Sequence, residues 1–285
     1  MLSRVAETIY WMGRYLERAE NVARIIEVNT NLMLDLPKGM ELGWTPLIAI
    51  LGADELYREK HDEYTERRVM NFLVSEMENP SSILASLAAA RENARTIRET
   101  IPRKAWEELN ALYQYAEDKQ RSAVGRKGRY DYLENIIQGS QMLVGILAGT
   151  MNHDQAYSFM NIGRKLERAD MTTRIIDVRS DTLLADNEGE LRTFDDYQWV
   201  SLLKSMTAHQ MYRRAMQTRV RRVEVLRFLF RHPDFPRSIM YCLNSLADYV
   251  AMLPKPRLVR AVAVSARPER FSALSMSPVA VGAFS

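Results

Sequence analysis

Near the start of the chain, Val5, Ile9, Met12, Leu16, Ala19, Ala23 and Ile26 recur at alternating steps of four and three. That spacing predicts a long amphipathic helix with one apolar seam, capped by Ser3 and ending near Asp35, before Pro37 and Gly39. A short apolar segment follows around Trp44–Leu51. A helix capped by Thr65 covers the next periodic stretch. Asn79–Ser82 breaks the pattern and supplies a new N-cap, and Pro102 separates the following two helices. Val124–Arg129 reads as a loop before a helix over Asp131–Thr150. Asn152 or Asp154 then caps a second long helix, which ends before a loop at Ala185–Glu190. Helical periodicity resumes from about Phe194 to Arg231. Pro233 and Pro236 interrupt it, and Ser238 opens a last helix to about Leu253. No segment alternates with the period of a strand. The pattern predicts an all-α chain, an antiparallel helical bundle over residues 1–253. Beyond Leu253 the periodicity fades, and residues 254–285 are expected to be a poorly ordered tail.

Composition strengthens the helical reading. The 285 residues contain 12 Gly, 10 Pro and 16 Met, and 47% are apolar. The single cysteine, Cys242, permits no internal disulfide, which fits a cytoplasmic protein. No secretory leader is recognisable at the N-terminus, and polar residues interrupt the long uncharged run between Glu134 and Asp154, so no membrane span is expected. The net charge of +3 comes from the tail, which carries five Lys or Arg and one Glu. The rest of the chain has 34 basic and 35 acidic residues, so the basic pI is no argument for nucleic acid.

One phrase occurs twice. Between Gly13–Val28 and Gly163–Val178, ten of sixteen positions are identical, and two more exchange Glu for Asp. Chance would give roughly one identity, so an internal repeat is expected. On a helical wheel with Leu16 at the centre of the seam, Gly13, Glu17, Glu20 and Arg24 form a stripe along its edge. Gly163, Glu167, Asp170 and Arg174 do the same in the second copy. Arg14, Arg18, Arg164 and Arg168 fall on the opposite side.

Two readings of the stripe stay open. It is a structural network, in which carboxylate–arginine pairs fix the register of packed helices. Or Glu17, Glu20, Arg24, Glu167, Asp170 and Arg174 line a shared pocket for a cationic or amino-group ligand, or for a divalent metal, which would make the chain an enzyme or a ligand-binding protein. Metal is the weaker form. Dimetal carboxylate bundles use Glu-x-x-His pairs, which are absent, and His61, His153, His209 and His232 sit apart. No metal and no cofactor is therefore expected, and no catalytic residue is identifiable. Arg14, Arg18, Arg164 and Arg168 are read as an outward docking face. Arg237 joins them as a partner-binding residue, because a cation at a helix start is poorly placed for the dipole. The arginine-rich stretch Tyr212–Arg231 reads first as a solvated face, then as a docking face for an acidic partner and last as a nucleic-acid surface, with Tyr212, Met216, Val223, Leu226 and Phe230 on its apolar side.

The segments "MLSRVAETIYWMGRYLERAENVARIIEVN", "NPSSILASLAAARENARTIRETIPRKAWEELN", "NIGRKLERADMTTRIIDV" and "FRHPDFPRSIMYCLNSL" together resemble the bacterial alpha-E family, an all-helical domain named for a Glu-Arg motif. The resemblance places that motif on Glu17–Arg18 and Glu167–Arg168, covers roughly residues 1–253, and is lost beyond Leu253. It implies a setting with a circularly permuted ATP-grasp ligase and a transglutaminase-like protein, in a system that ligates or modifies peptides. The helical protein would be a partner there; the charge and hydropathy of the chain add no nucleic-acid or membrane partner.

Overall fold

Twelve helices and no strand make up the described residues of this computed structural model, which are 1–35, 43–185 and 192–254. In chain order they are α1 (Ser3–Asp35), α2 (Thr45–Leu51), α3 (Asp54–Lys60), α4 (Glu66–Val74), α5 (Ile83–Thr96), α6 (Arg103–Val124), α7 (Arg126–Thr150), α8 (Gln155–Ala185), α9 (Arg192–Ser205), α10 (His209–Met216), α11 (Arg222–Arg231) and α12 (Ile239–Ala251). Their starts follow local chemistry. The hydroxyls of Thr65, Ser82 and Ser238 accept from the backbone N–H groups of Arg68, Ala85 and Tyr241, and Asp154 Oδ1 accepts from Ala156 and Tyr157 N–H. Each satisfies donors that the first helical turn leaves without partners.

α1 is the central element, packed against α5, α7, α8 and α9. From Leu16 to Ile26 every residue but Arg18 is buried. The three-and-four spacing therefore marks only one of several buried faces. α6 and α7 pack as a pair on one flank, and α12 lies along α8. One continuous apolar core runs from Ile9 through Phe72 and Leu133 to Phe228.

The two long helices meet where each carries its glycine. A Cβ on Gly13 would lie 2.3 Å from the carbonyl oxygen of Met160, and one on Gly163 would lie 2.2 Å from that of Tyr10. Only glycine permits this approach, because the obstruction is backbone and cannot rotate away. Partners then ascend together: Gly13 meets Met160, Arg14 meets Glu167, and Arg237 bridges Asn21 and Thr172. Through this contact the helices run in the same direction, not antiparallel. Apolar spacing fixes which face is buried but not its direction, and the long connection through α2–α7 imposes no hairpin.

Three further expectations change. The loop at Val124–Arg129 shrinks to Gly125 between α6 and α7. The helical stretch expected from about Phe194 to Arg231 divides into three helices, with Thr207 and Gln217 in left-handed conformation at the breaks. A single wheel across 212–230 consequently fails: Val223 and Phe230 are exposed, while Val225, Phe228 and Leu229 are buried. The loop expected at Ala185–Glu190 lies, past Ala185, outside the described residues, as does the tail beyond Pro254.

Gly13→Ala and Gly163→Ala should each destabilise the protein by about 1–3 kcal/mol or more, since the helices must separate to admit a methyl group. Both open the same contact, so the double variant should cost clearly less than the sum. Urea denaturation of the three variants measures this.

Candidate functional site

The repeated phrases exchange partners across the α1–α8 contact. Glu17 accepts from Arg168 through Nε (2.6 Å) and Nη2 (2.8 Å). Glu167 accepts from Arg18 through Nε (2.6 Å) and Nη2 (3.1 Å). Arg14 Nε adds a third donor to Glu167 at 2.6 Å, and Arg164 approaches Glu17 to 3.6 Å. Each Glu-Arg dipeptide thus supplies the acid for the other's base. The glycines set this up, because the glutamates lie one turn beyond them and face the opposing helix at the closest approach.

The arginines expected to face outward are turned onto the opposing helix. Arg164 is only 8% exposed, and the side chains of Arg14, Arg18 and Arg168 are largely covered. The wheel misplaced them because it assumed one buried face, whereas α8 closes over the far side of α1. Arg24 and Arg174 instead make pairs within their own helices, with Glu20 and Asp170. Arg174 Nη1 also donates to Leu51 O at the C-terminus of α2, where a cation suits the dipole. The six residues expected to line one pocket are therefore divided along the contact, and arginine holds all four carboxylates. Among the described residues, no group of three His, Cys, Asp or Glu is disposed to hold a metal.

The pairing controls ionisation. Burial alone would raise the Glu17 carboxyl, but Arg168, Arg237 and Arg164 outweigh it and hold it well below the ordinary carboxylate range. Burial would lower the Arg168 guanidinium, but Glu17 raises it instead. Arg14 is likewise raised, against its burial, by Glu167.

The reciprocity ends at Arg237. From the turn before α12 it donates to Asn21 Oδ1 (2.6 Å) and Glu20 Oε1 (2.9 Å), lies 3.5 Å from Glu17, and accepts at its backbone oxygen from Thr172. Its use inside the molecule explains the unfavourable position before a helix. Asn21 and Thr172 occupy positions where the two phrases differ, since their counterparts are Met171 and Val22. Lys165 replaces Tyr15 in the same way, and it borders an open cleft of about 470 Å³ beside Arg164. Sequence reasoning missed Lys165, Asn161 and Thr207, which all line that cleft. For Lys165 the signal was available, as a mismatch inside an otherwise matching phrase.

A family model described as Alpha-E, a predicted alpha-helical domain with a conserved ER motif, matches residues 1–275. The chain belongs to the Alpha-E family. The match extends past Leu253, so the departure expected there is not abrupt. The chain is also 22% identical to Uncharacterized protein Mb2597 of Mycobacterium bovis and to Uncharacterized proteins MT2643 and Rv2567 of Mycobacterium tuberculosis. Each match spans 94% of this chain and 31% of the relative. The chain therefore covers about a third of the length of these curated relatives. No solved structure matches it.

Glu17→Gln should cost about 3–5 kcal/mol, because it leaves buried guanidinium groups without their acid. Asp170→Asn, in a partly exposed pair, should cost under about 1 kcal/mol. Arg164→Gln should not be silent, as an outward arginine would be. The pH dependence has a definite sign. Glu17 binds its proton less readily folded than unfolded, so its contribution is complete above the ordinary value of 4.5 and is lost as pH falls through the lower folded value. Denaturation from pH 7 down to pH 3 should show a shallower acid loss in Glu17→Gln than in the unsubstituted protein.

Proposed function

We propose that this Alpha-E protein is a non-catalytic helical partner in a peptide-ligating or peptide-modifying system containing a circularly permuted ATP-grasp ligase and a transglutaminase-like protein. The observation that carries the reading is the coverage of the mycobacterial relatives: the matching segment is 31% of each. In them an Alpha-E-like segment shares its polypeptide with further chain, as expected of a module that works beside another protein.

The site chemistry supports the same reading. A catalytic carboxylate needs freedom to take or give a proton near the working pH. Glu17 is clamped well below that range, and Glu20, Glu167 and Asp170 are each held by arginine. Such a network serves to make a rigid scaffold. Read as an internal duplication, the two Gly-x-x-Leu-Glu-Arg-Ala phrases form the two halves of that scaffold. No helix among the described residues is long and apolar enough to cross a membrane, and a cytoplasmic setting fits the nucleotide-dependent partner.

Co-expression with the ATP-grasp ligase and the transglutaminase-like protein of the same organism tests the proposal. The helical protein should co-purify with the ligase in defined stoichiometry and raise its turnover. Failure to form a complex, together with unchanged ligase turnover, would overturn it.

A further inference from the structure

The open cleft beside α8 has an unusual charge balance. Its wall includes Arg24, Arg164, Lys165, Arg168 and Arg237, against the single lining carboxylate of Glu20. Among the described residues, the ion pairs of these five cations reach only Glu20 and Glu17, and Glu17 is buried behind the wall. Three positive charges are left over. Crowding them in a partly desolvated site is unfavourable unless a counter-charge arrives.

The consequences are visible residue by residue. Burial, then Arg168, pull the Arg237 guanidinium down to about 10. Burial, then Arg168 and Arg164, pull the Lys165 ammonium down to about 8. Lys165 Nζ lies 4.6 Å from the Tyr241 ring centre, and no carboxylate among the described residues forms an ion pair with it. Arg164 is more than nine-tenths buried. Its Nη1 makes one long bond, 3.3 Å to Asn161 Oδ1, and its Nε has no hydrogen-bond partner among the described residues. Buried guanidinium donors are normally satisfied, so Arg164 is under-used by the acceptors around it.

Opposite, Thr207 closes the end of α9 in left-handed conformation, φ 52°. Its N–H donates to Lys204 O, and the N–H of Ala208 donates to Leu203 O, an arrangement that favours glycine. A β-branched residue there is strained. What it provides is a hydroxyl that accepts from Arg24 Nη1 at 2.6 Å and fixes that arginine at the cleft. Tyr157 and Tyr249, whose ring centres are 6.3 Å apart edge to face, line another part of the wall. The volume is that of a small-molecule site.

We infer that this cleft binds a small molecule bearing a multiply charged oxyanion, of phosphate or polycarboxylate type, with Arg164 and Lys165 as its direct ligands. Arg24, Arg168 and Arg237 supply the surrounding positive field, and the tyrosines flank the apolar part of the ligand. This is the opposite of the cationic ligand that the carboxylate stripe alone would suggest.

Calorimetric titration with pyrophosphate and with citrate, each at constant ionic strength set by sodium chloride, tests the inference. At least one should bind saturably with one site per chain. Pyrophosphate alone points to a phosphate-bearing ligand and citrate alone to a carboxylate one. Lys165→Gln, at a partly buried position with no ion pair among the described residues to lose, and Arg164→Gln should each weaken binding at least tenfold. Asp170→Asn, away from the cleft, should leave it unchanged. No saturable binding of either anion, or undiminished binding in Lys165→Gln, would overturn the inference.

Discussion

Two backbones touching at Gly13 and Gly163 set the terms for everything around them. Because no Cβ intervenes, α1 and α8 come close enough for Glu17 and Glu167 to be buried against the opposing helix. A buried carboxylate is tolerable only if cations and donors meet it. Each glutamate meets an arginine that follows the other glutamate in sequence. The Gly-x-x-Leu-Glu-Arg-Ala phrase is thus one device: glycine for approach, leucine for the seam, and an acid–base pair split between two helices. Either copy alone would be left with an unpaired glutamate and an unpaired arginine.

The differences between the copies matter as much as the identities. Identical positions build the reciprocal network. Asn21 and Thr172 depart from their counterparts and receive Arg237, and Lys165 departs from Tyr15 and faces the cleft. Arg237 makes the Glu17 side of the network more cationic than the Glu167 side. A symmetric core therefore carries an asymmetric surface, and the asymmetry is where a ligand's charge would be welcome. The scaffold and the cleft share Arg168, so an anion in the cleft would be coupled electrostatically to the Glu17–Arg168 pair.

Much of this was legible in the sequence. Helix starts at Thr65, Ser82 and Ser238 followed from their hydroxyls, and the repeated phrase marked the residues that meet. Arg237 stood out because a cation at a helix start needs a reason, but it was read as a docking residue, whereas it is buried against Glu20 and Asn21. The outward placement of Arg14, Arg18, Arg164 and Arg168 failed because a wheel knows only one buried face, while α1 is enclosed on several. The shared direction of α1 and α8 was invisible, since periodicity carries no sign. The break at Thr207 could not be read either, because nothing in Met206–Thr207–Ala208 announces a left-handed turn without glycine. The cleft needed Thr207, Lys165 and Arg237 together, from three separate elements.

The partner exchange is tested most directly by two double-mutant cycles read by urea denaturation. One couples Glu17→Gln with Arg168→Gln, and the other couples Glu17→Gln with Arg18→Gln. Residues in one ion-pair network couple by about 0.5–3 kcal/mol. The account predicts coupling in that range for Glu17 with Arg168, which is 151 positions away in sequence, and a distinctly smaller value for Glu17 with its neighbour Arg18. No measurable coupling between Glu17 and Arg168, or a larger coupling with Arg18, would contradict it.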